Sequence, residues 1–332
     1  MNGMDVKTGI GLEAAYGAPV KSQALIDTLA NGVAGTYNRI DSKALGRGRF
    51  LPARSVMGSA EIGGSLSCEA TPDGFSLLLY AALGAVTTTG AASLYTHAIT
   101  AAAAGPKPIT VATAKGNLIS VVSCKIETLT LNAVLDEFVN AEAEMVGIGE
   151  KFDVYPEDPA GKVFGAASLP VGLPFSFTGA TLNLDGTASN DCGSIKAVIK
   201  NNLSAKRVLG SAFPTGHGPQ VAEVTFELDM YYESEALLRK HLGAAAGWPF
   251  SRGAVPTPCA LTAAFASGTT GHSLTAAATV AYVTAPEPAI EGSDYLKQPV
   301  TITVASPGVT FTLVNAEANT VLTTNGTAIV YT

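Results

Sequence analysis

Charged residues are scarce in this 332-residue sequence, at 14%, whereas soluble domains usually contain roughly 25%. A compact monomer of this mass exposes on the order of 13,000 Å², so its surface would carry less charge than solubility normally requires. The deficit predicts that other subunits cover much of the surface. The net charge of −7 argues against a general nucleic-acid binder, because phosphate affinity comes from excess Lys and Arg.

Long apolar runs and paired cysteines are also missing. The longest apolar candidate, Phe75 to Val86, is too short to cross a bilayer, which takes about 20 residues. The N-terminus lacks the apolar stretch of a secretory signal. Because no C-x-x-C pair occurs, we expect reduced, partly buried thiols in a protein made in the cytoplasm. The cysteines are Cys68, Cys124, Cys192 and Cys259.

Motifs of catalysis and of cofactor binding are equally lacking. The sequence has four histidines, none of them in an H-E-x-x-H motif, near a cysteine pair or in a G-x-S-x-G elbow. Its glycine-rich spots form neither a phosphate-binding loop nor a dinucleotide-binding turn. We therefore expect no catalytic residue, no metal site and no cofactor, and the protein is interpreted as not an enzyme.

What the sequence does contain is short alternating segments separated by Gly, Asn, Asp and Pro, which predict a mainly β fold. The clearest are Glu223 to Met230 and Phe138 to Val146. In each, every second residue is apolar, so one face of the strand should pack on a core and the other should face water. The polar faces carry Asn140, Glu142 and Glu144 in one strand and Glu223, Glu227 and Asp229 in the other.

Two segments are predicted to be helical, Asp73 to Leu83 and Ser234 to Leu242, each followed by a glycine that would end the helix. A proline-rich stretch at 155–174 predicts a linker between two halves. We therefore expect a first domain with an N-terminal arm at 1–154, a linker at 155–174, a second domain at 175–306 and a C-terminal extension at 307–332.

The two halves also share a pattern, which predicts an internal duplication. The stretch from Gly64 to Gly84 aligns with Glu223 to Gly243 when one residue is shifted in the connecting turn. Apolar positions then coincide in the strands and in the helices. The matched pairs include Leu66 with Phe226, Cys68 with Leu228, Leu78 with Leu237 and Leu83 with Leu242.

One basic stretch interrupts the acidic average. It carries five basic residues with only Asp41 opposing them: Arg39, Lys43, Arg47, Arg49 and Arg54. A solvated loop is one interpretation. The interpretation that we prefer is a contact arm between subunits that meets an acidic neighbour, because opposite charges guide docking and fix register.

Several strings in a fixed order carry a family resemblance that covers most of residues 8–314. They are G-x-G-x-E-A-A-Y-G-A-P from Gly9, R-S-V-M-G-S-A-E-I-G-G-S-L-S-C-E ending at Glu69, Y-T-H-A-I-T from Tyr95, C-K-I-E-T-L-T-L-N from Cys124 and P-F-S-F-T-G-A from Pro174. In this order they resemble the tail tube proteins of long, non-contractile-tailed (siphovirus-type) bacteriophages. Residues beyond about Pro307 match less well.

The resemblance implies two similar tail-tube β-sandwich or barrel domains, each with a flanking α-helix. It implies a homotrimeric ring with pseudo-sixfold symmetry, with a homohexamer as the alternative, and rings that stack into the hollow tail channel for DNA ejection into the host. The implied partners are further copies of the chain and the tape-measure, tail terminator and distal tail proteins. Viral DNA would be present only in transit, no membrane is involved, and the protein would belong to the virion after assembly in the host cytoplasm.

On this interpretation the polar strand faces are candidates for the channel lining, because an acidic wall repels DNA phosphates. The lining candidates are Asn140, Glu142, Glu144, Glu223, Glu227 and Asp229. The alternative class is another self-assembling β protein, such as a contractile-tail tube, a capsid decoration or a surface-layer subunit. A third class is a hydrolase or carbohydrate-binding β-sandwich.

Overall fold

The computed structural model describes residues 6–42, 54–91, 94–116, 118–154, 161–165, 167, 169–170, 172–243, 256–288, 296–306, 308–316, 322 and 324–329. Within these residues the fold is mainly β, as the sequence predicts, with twenty strands and two helices. In the described part of the chain, neither helix has the length and apolar character needed to span a bilayer.

The elements follow in chain order. They are β1 (Val6–Leu12), β2 (Ala24–Ile26), β3 (Thr28–Asn31), β4 (Ala34–Asp41), β5 (Ser55–Glu69), α1 (Phe75–Leu83), β6 (Gly84–Ala91), β7 (Leu94–Ala101), β8 (Ile109–Lys115), β9 (Leu118–Val134), β10 (Asn140–Val154), β11 (Phe175–Leu184), β12 (Thr187–Ser189), β13 (Cys192–Lys200), β14 (Ser204–Lys206), β15 (Gly216–Gly218), β16 (Glu223–Tyr231), α2 (Ala236–Leu242), β17 (Pro258–Ser267), β18 (Ser273–Thr284), β19 (Lys297–Val304) and β20 (Val309–Asn315).

An antiparallel run with eight strand positions forms the middle of the main sheet. Its first position is filled by β3 and β4 in turn, both paired with β5. The run continues through β10, β9, β13, β16 and β19 to β18. The pairing of β9 with β13 joins the two halves of the chain in one sheet. We call this set of strands the eight-strand run.

Further strands branch from the middle of this run, at β9, and from its end, at β18. The first part of β9 pairs with β8, which pairs with β1, and β1 pairs with β2. At the end of the run, β18 pairs with β17 and also with β20. Strand β20 in turn pairs with β7 of the first half. The predicted C-terminal extension therefore supplies a strand that lies between the two halves.

The buried face of the eight-strand run forms one apolar core that spans both halves. Alternate residues of neighbouring strands point into it, for example Leu66, Ala143, Leu129, Ala197 and Phe226. Helix α1 packs on this core against β9 and β7, and all of its residues except Tyr80 are buried. Helix α2 packs against β18 and has no fully buried residue.

The two predicted helices are confirmed with later starts, at Phe75 and Ala236. Gly74 has φ 85°, outside the helical region, so α1 cannot begin earlier. Gly84 and Gly243 end the helices in the left-handed conformation, which glycine adopts without steric cost.

The two predicted strands are also present. The first begins at Asn140 and continues to Val154, beyond the predicted Val146, while the second runs from Glu223 to Tyr231. Part of the predicted linker packs on the first half, where Val163 and Phe164 are buried in a small cluster with Leu25 and Ile119. The division into two similar domains stays a prediction.

Candidate functional site

The six candidate lining residues lie on one face of the eight-strand run. The register pairs Glu144 with Thr128, Thr128 with Lys200, and Lys200 with Glu223. Four residues along, Asn140 is linked in the same way, through Asn132 and Lys196, to Glu227. Paired residues in an antiparallel sheet point to the same side, so the candidates of both halves share a surface. We call it the polar face.

Burial alternates along these strands as the sequence predicts. In β10, Ala141 and Ala143 are buried while Glu142 and Glu144 are exposed. In β16, Phe226 and Leu228 are buried and Glu227 is exposed. Since the period of a strand is two residues, the buried core on one side fixes the polar face on the other.

The polar face carries a net negative charge within the described strands. Acidic side chains outnumber lysines on this side. The acids include Glu61, Glu69, Glu142, Glu144, Glu223, Glu227 and Asp229, and the lysines include Lys196, Lys200 and Lys297.

Two of the lysines form cross-strand ion pairs on the polar face. Lys196 Nζ lies 2.8 Å from Glu227 Oε2, and Lys297 Nζ lies 3.4 Å from Asp229 Oδ2. These side chains are between about two-fifths and three-fifths exposed, so each pair contributes at most about 1 kcal/mol to stability. They reduce the local charge of β16, whereas Glu142 and Glu144 on β10 have no ion pair among the described residues.

Sequence reasoning missed several charged members of this face, among them Glu69, Lys196, Lys200 and Lys297. The alternation of Ser194, Lys196, Val198 and Lys200 with Ile195, Ala197 and Ile199 was visible in the sequence and is the signal that would have found the two lysines of β13. Glu69 ends β5 and pairs with Asn140, which only the fold reveals.

Two residues of the predicted basic arm lie in the described part of the chain. Arg39 is in β4 and forms an ion pair with Asp41 at 3.0 Å, and the exposed Arg54 precedes β5. Lys43, Arg47 and Arg49 lie outside the described residues. The arm's assignment as a contact between subunits stays a prediction.

The N-terminal string from Gly9 to Pro19 holds a buried carboxylate. Glu13 is 4% exposed and accepts hydrogen bonds from Thr110 Oγ1 at 2.7 Å, Ser123 Oγ at 2.7 Å and the Gly17 amide at 3.0 Å. Burial raises the pKa of Glu13, and these hydrogen bonds partly oppose the rise. The contacts tie the N-terminal segment to β8 and β9, which is a structural role.

Tyr16, in the same string, connects the two halves of the chain. Its hydroxyl donates to the Val146 carbonyl at 3.0 Å and lies 2.9 Å from His217 Nδ1. The Lys125 ammonium lies 5.2 Å from the centre of the Tyr16 ring. Burial, followed by the charges of Lys125 and Arg207, lowers the pKa of His217, so this histidine is mainly neutral near pH 7.

The chemistry of the remaining reactive groups is that of a core. Burial raises the pKa of the Cys68 thiol to about 12 and that of Cys192 to about 11, which keeps both protonated at neutral pH. All four cysteines are free thiols. Among the described residues, no group of three or more His, Cys, Asp and Glu side chains is arranged to hold a metal ion.

Comparison with known protein families gives a match. The model of a family described as phage tail tube protein matches residues 3–304, which include every element up to the end of β19. No curated protein matches the chain in sequence.

Proposed function

We propose that this chain, which belongs to the phage tail tube protein family, is the major tail tube subunit of a siphovirus-type tail. On this proposal its rings stack into the channel for DNA ejection. Membership of this family implies a structural, non-enzymatic component of the virion tail that assembles with copies of itself and with other tail proteins. The single observation that carries the finer proposal is the polar face, which runs without interruption across both halves of the chain.

The register of the eight-strand run supports the duplication on which a trimeric ring depends. After the helix, Leu78 aligns with Leu237 at an offset of 159 residues. The same offset holds between β10 and β19. Each of these strands pairs with the strand that precedes the helix of its half. Asn140 pairs with Glu69, and Pro299, again 159 residues later, pairs with Asp229. That the pairing partner is preserved at this offset supports the duplication.

The preceding strands follow the same plan. Thr28 of β3 pairs with Cys68, and Ile195 of β13 pairs with Leu228, the residue aligned with Cys68. Each half therefore contributes four positions to the run: β3 and β4, β5, β10 and β9 in the first, and β13, β16, β19 and β18 in the second. Three chains would supply six such units, which is the basis of pseudo-sixfold symmetry.

On this proposal the ring closes because the strand pairing that β13 makes with β9 within the chain is repeated between copies. Strand β13 lies between β16 and β9. Its counterpart β3 pairs only with β5 among the described strands, so its outer edge is open. An open edge is a template for pairing with another chain, and closing the sheet into a barrel removes that edge. On this proposal the second half of a neighbouring copy supplies the partner strand, from outside the described part of β18, which already pairs with β17 on one edge and with β19 and β20 on the other.

The polar face then lines the channel. Its excess of acidic over basic side chains repels phosphates within a Debye length, about 8 Å at physiological salt. DNA therefore passes without adhering, and the opposite, apolar face stays in the core.

Cryo-electron microscopy of tubes assembled from the purified chain tests the proposal. We expect hollow tubes with three chains per ring, two similar units per chain and the polar face inward. Six chains per ring would refute the trimer and leave the tube intact. Flat lattices, or a chain that stays monomeric under all assembly conditions, would refute the tube itself.

A further inference from the structure

The end of β10 has a partner strand on one side only. Beyond Gly147, β10 pairs with β9, whereas its pairing with β5 stops at Gly147. Among the described strands, no second partner takes the place of β5 there. An edge of this kind is a template for a strand of another chain. We call this part of the strand the β10 end.

Strand β20 is the counterpart of the β10 end in the second half. At the offset of 159 residues that relates β10 to β19, Phe152 corresponds to Phe311. Phe152 pairs with Ser120, and Phe311 pairs with Ala276. The corresponding residues keep the same register in every pair from residue 150 to residue 154. Unlike the β10 end, however, β20 has a strand on each side, β18 and β7.

Two apolar side chains at the β10 end are exposed although their counterparts are buried. Phe152 is 55% exposed, whereas Phe311 is 0% exposed. Leu118, at the start of β9, is 41% exposed, whereas its counterpart in the same register, Leu274, is 0% exposed. Leu118 and Phe152 lie on the same side of the sheet as the core residue Val122. The apolar core therefore extends to the β10 end, where the described residues leave it half exposed.

Strand β7 of the first half covers β20. Its Ile99 is buried and pairs with Phe311. In every copy β7 lies between β6 and β20, so both of its edges are used and it cannot also pair with the β10 end of another copy. Strands β6 and β7 occupy the stretch between α1 and β8, and the corresponding stretch of the second half connects α2 to β17.

This connection, residues 243–257, is the occupant that matches the β10 end. Residues 244–255 lie outside the described residues, and their sequence includes Trp248 and Phe250, with Arg252 as its only charged residue. A stretch of this length can supply a strand as long as the β10 end, about 20 Å at about 3.3 Å per residue. Aromatic side chains on neighbouring strands stabilise a sheet when they pair.

The connection of the same chain cannot be the occupant. Both of its ends lie at β18, because α2 packs against β18 and β17 pairs with β18. In the eight-strand run β10 lies five strand positions from β18, which is about 24 Å at about 4.8 Å per strand. Crossing that distance twice takes about 14 residues, so almost none would remain to pair. The occupant therefore comes from another copy.

The direction of the contacts within one chain identifies that copy. The first half presents β9 and β7 to the second half, which offers β13 and β20 in return. Strand β3 is the counterpart of β13, and the β10 end is the counterpart of β20. The first half of one copy therefore turns both open edges toward the second half of the same neighbour in the ring.

We propose that the connection between α2 and β17 of one copy pairs with the β10 end of the next copy in the same ring, and that this contact buries Phe152 and Leu118. The inference rests on the proposed tube function, because it requires copies arranged in a closed ring. It adds to the joint at β3 a second contact, which lies on the core side of the sheet and away from the polar face.

Paired cysteines in the full-length protein test the contact. Phe152→Cys is combined with Trp248→Cys or with Phe250→Cys, and assembled tubes are treated with a short bis-maleimide. Because a ring closes on itself, we expect covalent dimers and trimers and no larger species. Each single variant measures the background from the native thiols and should give no trimer. Leu135→Cys with Phe250→Cys is the matched control, since Leu135 is 53% exposed and follows the opposite end of β9.

The outcomes separate the inference from the proposed function. Tubes that give no covalent trimer from either pair, or as much of it as the Leu135 control, would overturn the inference and leave the tube intact. A ladder beyond six chains would also overturn it, because the contact would then lie between rings. Species that stop at six would support the contact and refute the trimer. Failure of the wild-type chain to form tubes would overturn the proposed function, and the inference with it.

Removal of the Phe152 ring provides a second, independent readout. Phe152→Ser should lower the yield of rings at a fixed protein concentration by about tenfold or more, the effect of withdrawing one buried phenylalanine. Phe152→Leu should restore most of the yield, and Leu135→Ser should stay within about twofold of wild type. An unchanged yield for Phe152→Ser, or an equal loss for Leu135→Ser with both variants folded by circular dichroism, would contradict the proposal.

Trp248, the only tryptophan of the chain, reports on the contact directly. Its emission maximum should shift to shorter wavelength when wild-type chains assemble, because the contact withdraws the indole ring from water. The shift should be smaller in tubes of Phe152→Ser. An emission maximum that assembly leaves unchanged would overturn the inference.

Discussion

Asn201 offers a direct measurement of how strongly the two halves of the chain stabilise each other. It follows β13, is 5% exposed, and its side-chain amide donates to the Ala82 carbonyl and to the Ile126 carbonyl, both at 3.0 Å. Ala82 belongs to the last turn of α1, where carbonyls lack helical partners. One side chain of the second half therefore satisfies two buried acceptors of the first half.

The expected cost of Asn201→Ala follows from these two bonds. Each buried hydrogen bond contributes about 1 kcal/mol net, and the acceptors left unpaired add a desolvation penalty of about 1–3 kcal/mol. We expect the free energy of unfolding to fall by about 2–4 kcal/mol. Asn201→Asp should cost more at pH 7, because a carboxylate places negative charge against two carbonyl oxygens, and should recover in part at low pH, where the protonated acid can donate.

Urea denaturation of the unassembled protein, monitored by circular dichroism, gives the comparison. Asn190→Ala is the matched control, because Asn190 is exposed, and we expect it to lie within about 0.5 kcal/mol of wild type. A loss below about 0.5 kcal/mol for Asn201→Ala would refute the reasoning that this side chain couples the halves.

Further predictions concern the polar face and the buried Glu13. Phage carrying Glu142→Lys with Glu144→Lys should assemble tubes and eject DNA more slowly in a dye-release assay. Glu287→Lys changes an exposed residue outside the strands of the polar face and should leave the ejection rate unchanged. Normal ejection from the double variant would contradict the repulsion argument. Because burial raises the pKa of Glu13 above its ordinary value of 4.5, the folded state retains a proton that the unfolded state has released. This contribution to stability is thus present below about pH 4.5 and is lost as pH rises through the elevated pKa. Glu13→Gln should not lose this contribution to stability as pH rises. Its urea midpoints between pH 4 and 8 should therefore change less with pH than those of wild type. Parallel profiles would show that Glu13 does not titrate in this range.

The sequence predicts those features that depend on local periodicity. The alternation around Glu142 and Glu227 identifies both the strands and their exposed sides, because a strand repeats every two residues whatever it pairs with. The helix ends at Gly84 and Gly243 are predicted for the same reason, since the stop signal lies next to the helix. The repeated pattern of the two halves is likewise a local signal that occurs twice.

Features that depend on distant pairing were not predictable. Nothing near Phe311 indicates that β20 pairs with β7, and the residues beyond Pro307 were expected to be a separate extension. The open groove between β3, the β9–β10 turn and β11 combines residues from four separate parts of the chain, so no window of sequence contains it. In the sequence, Glu13 stands out only as a member of the string from Gly9 to Pro19, whereas the structure shows which groups its carboxylate binds.

The position of β20 constrains the order of events during synthesis. Tyr95 on β7 pairs with Asn315 on β20, about 220 residues later in the chain. At about 5–20 residues per second, β7 waits roughly 10–45 s on the ribosome before its partner exists. Nascent chains that stop early would leave the edges of β7 and β18 uncovered, and these fragments are expected to precipitate or be degraded before they enter a growing tail. Completion of translation would thereby act as a checkpoint that admits only subunits with β20 in place.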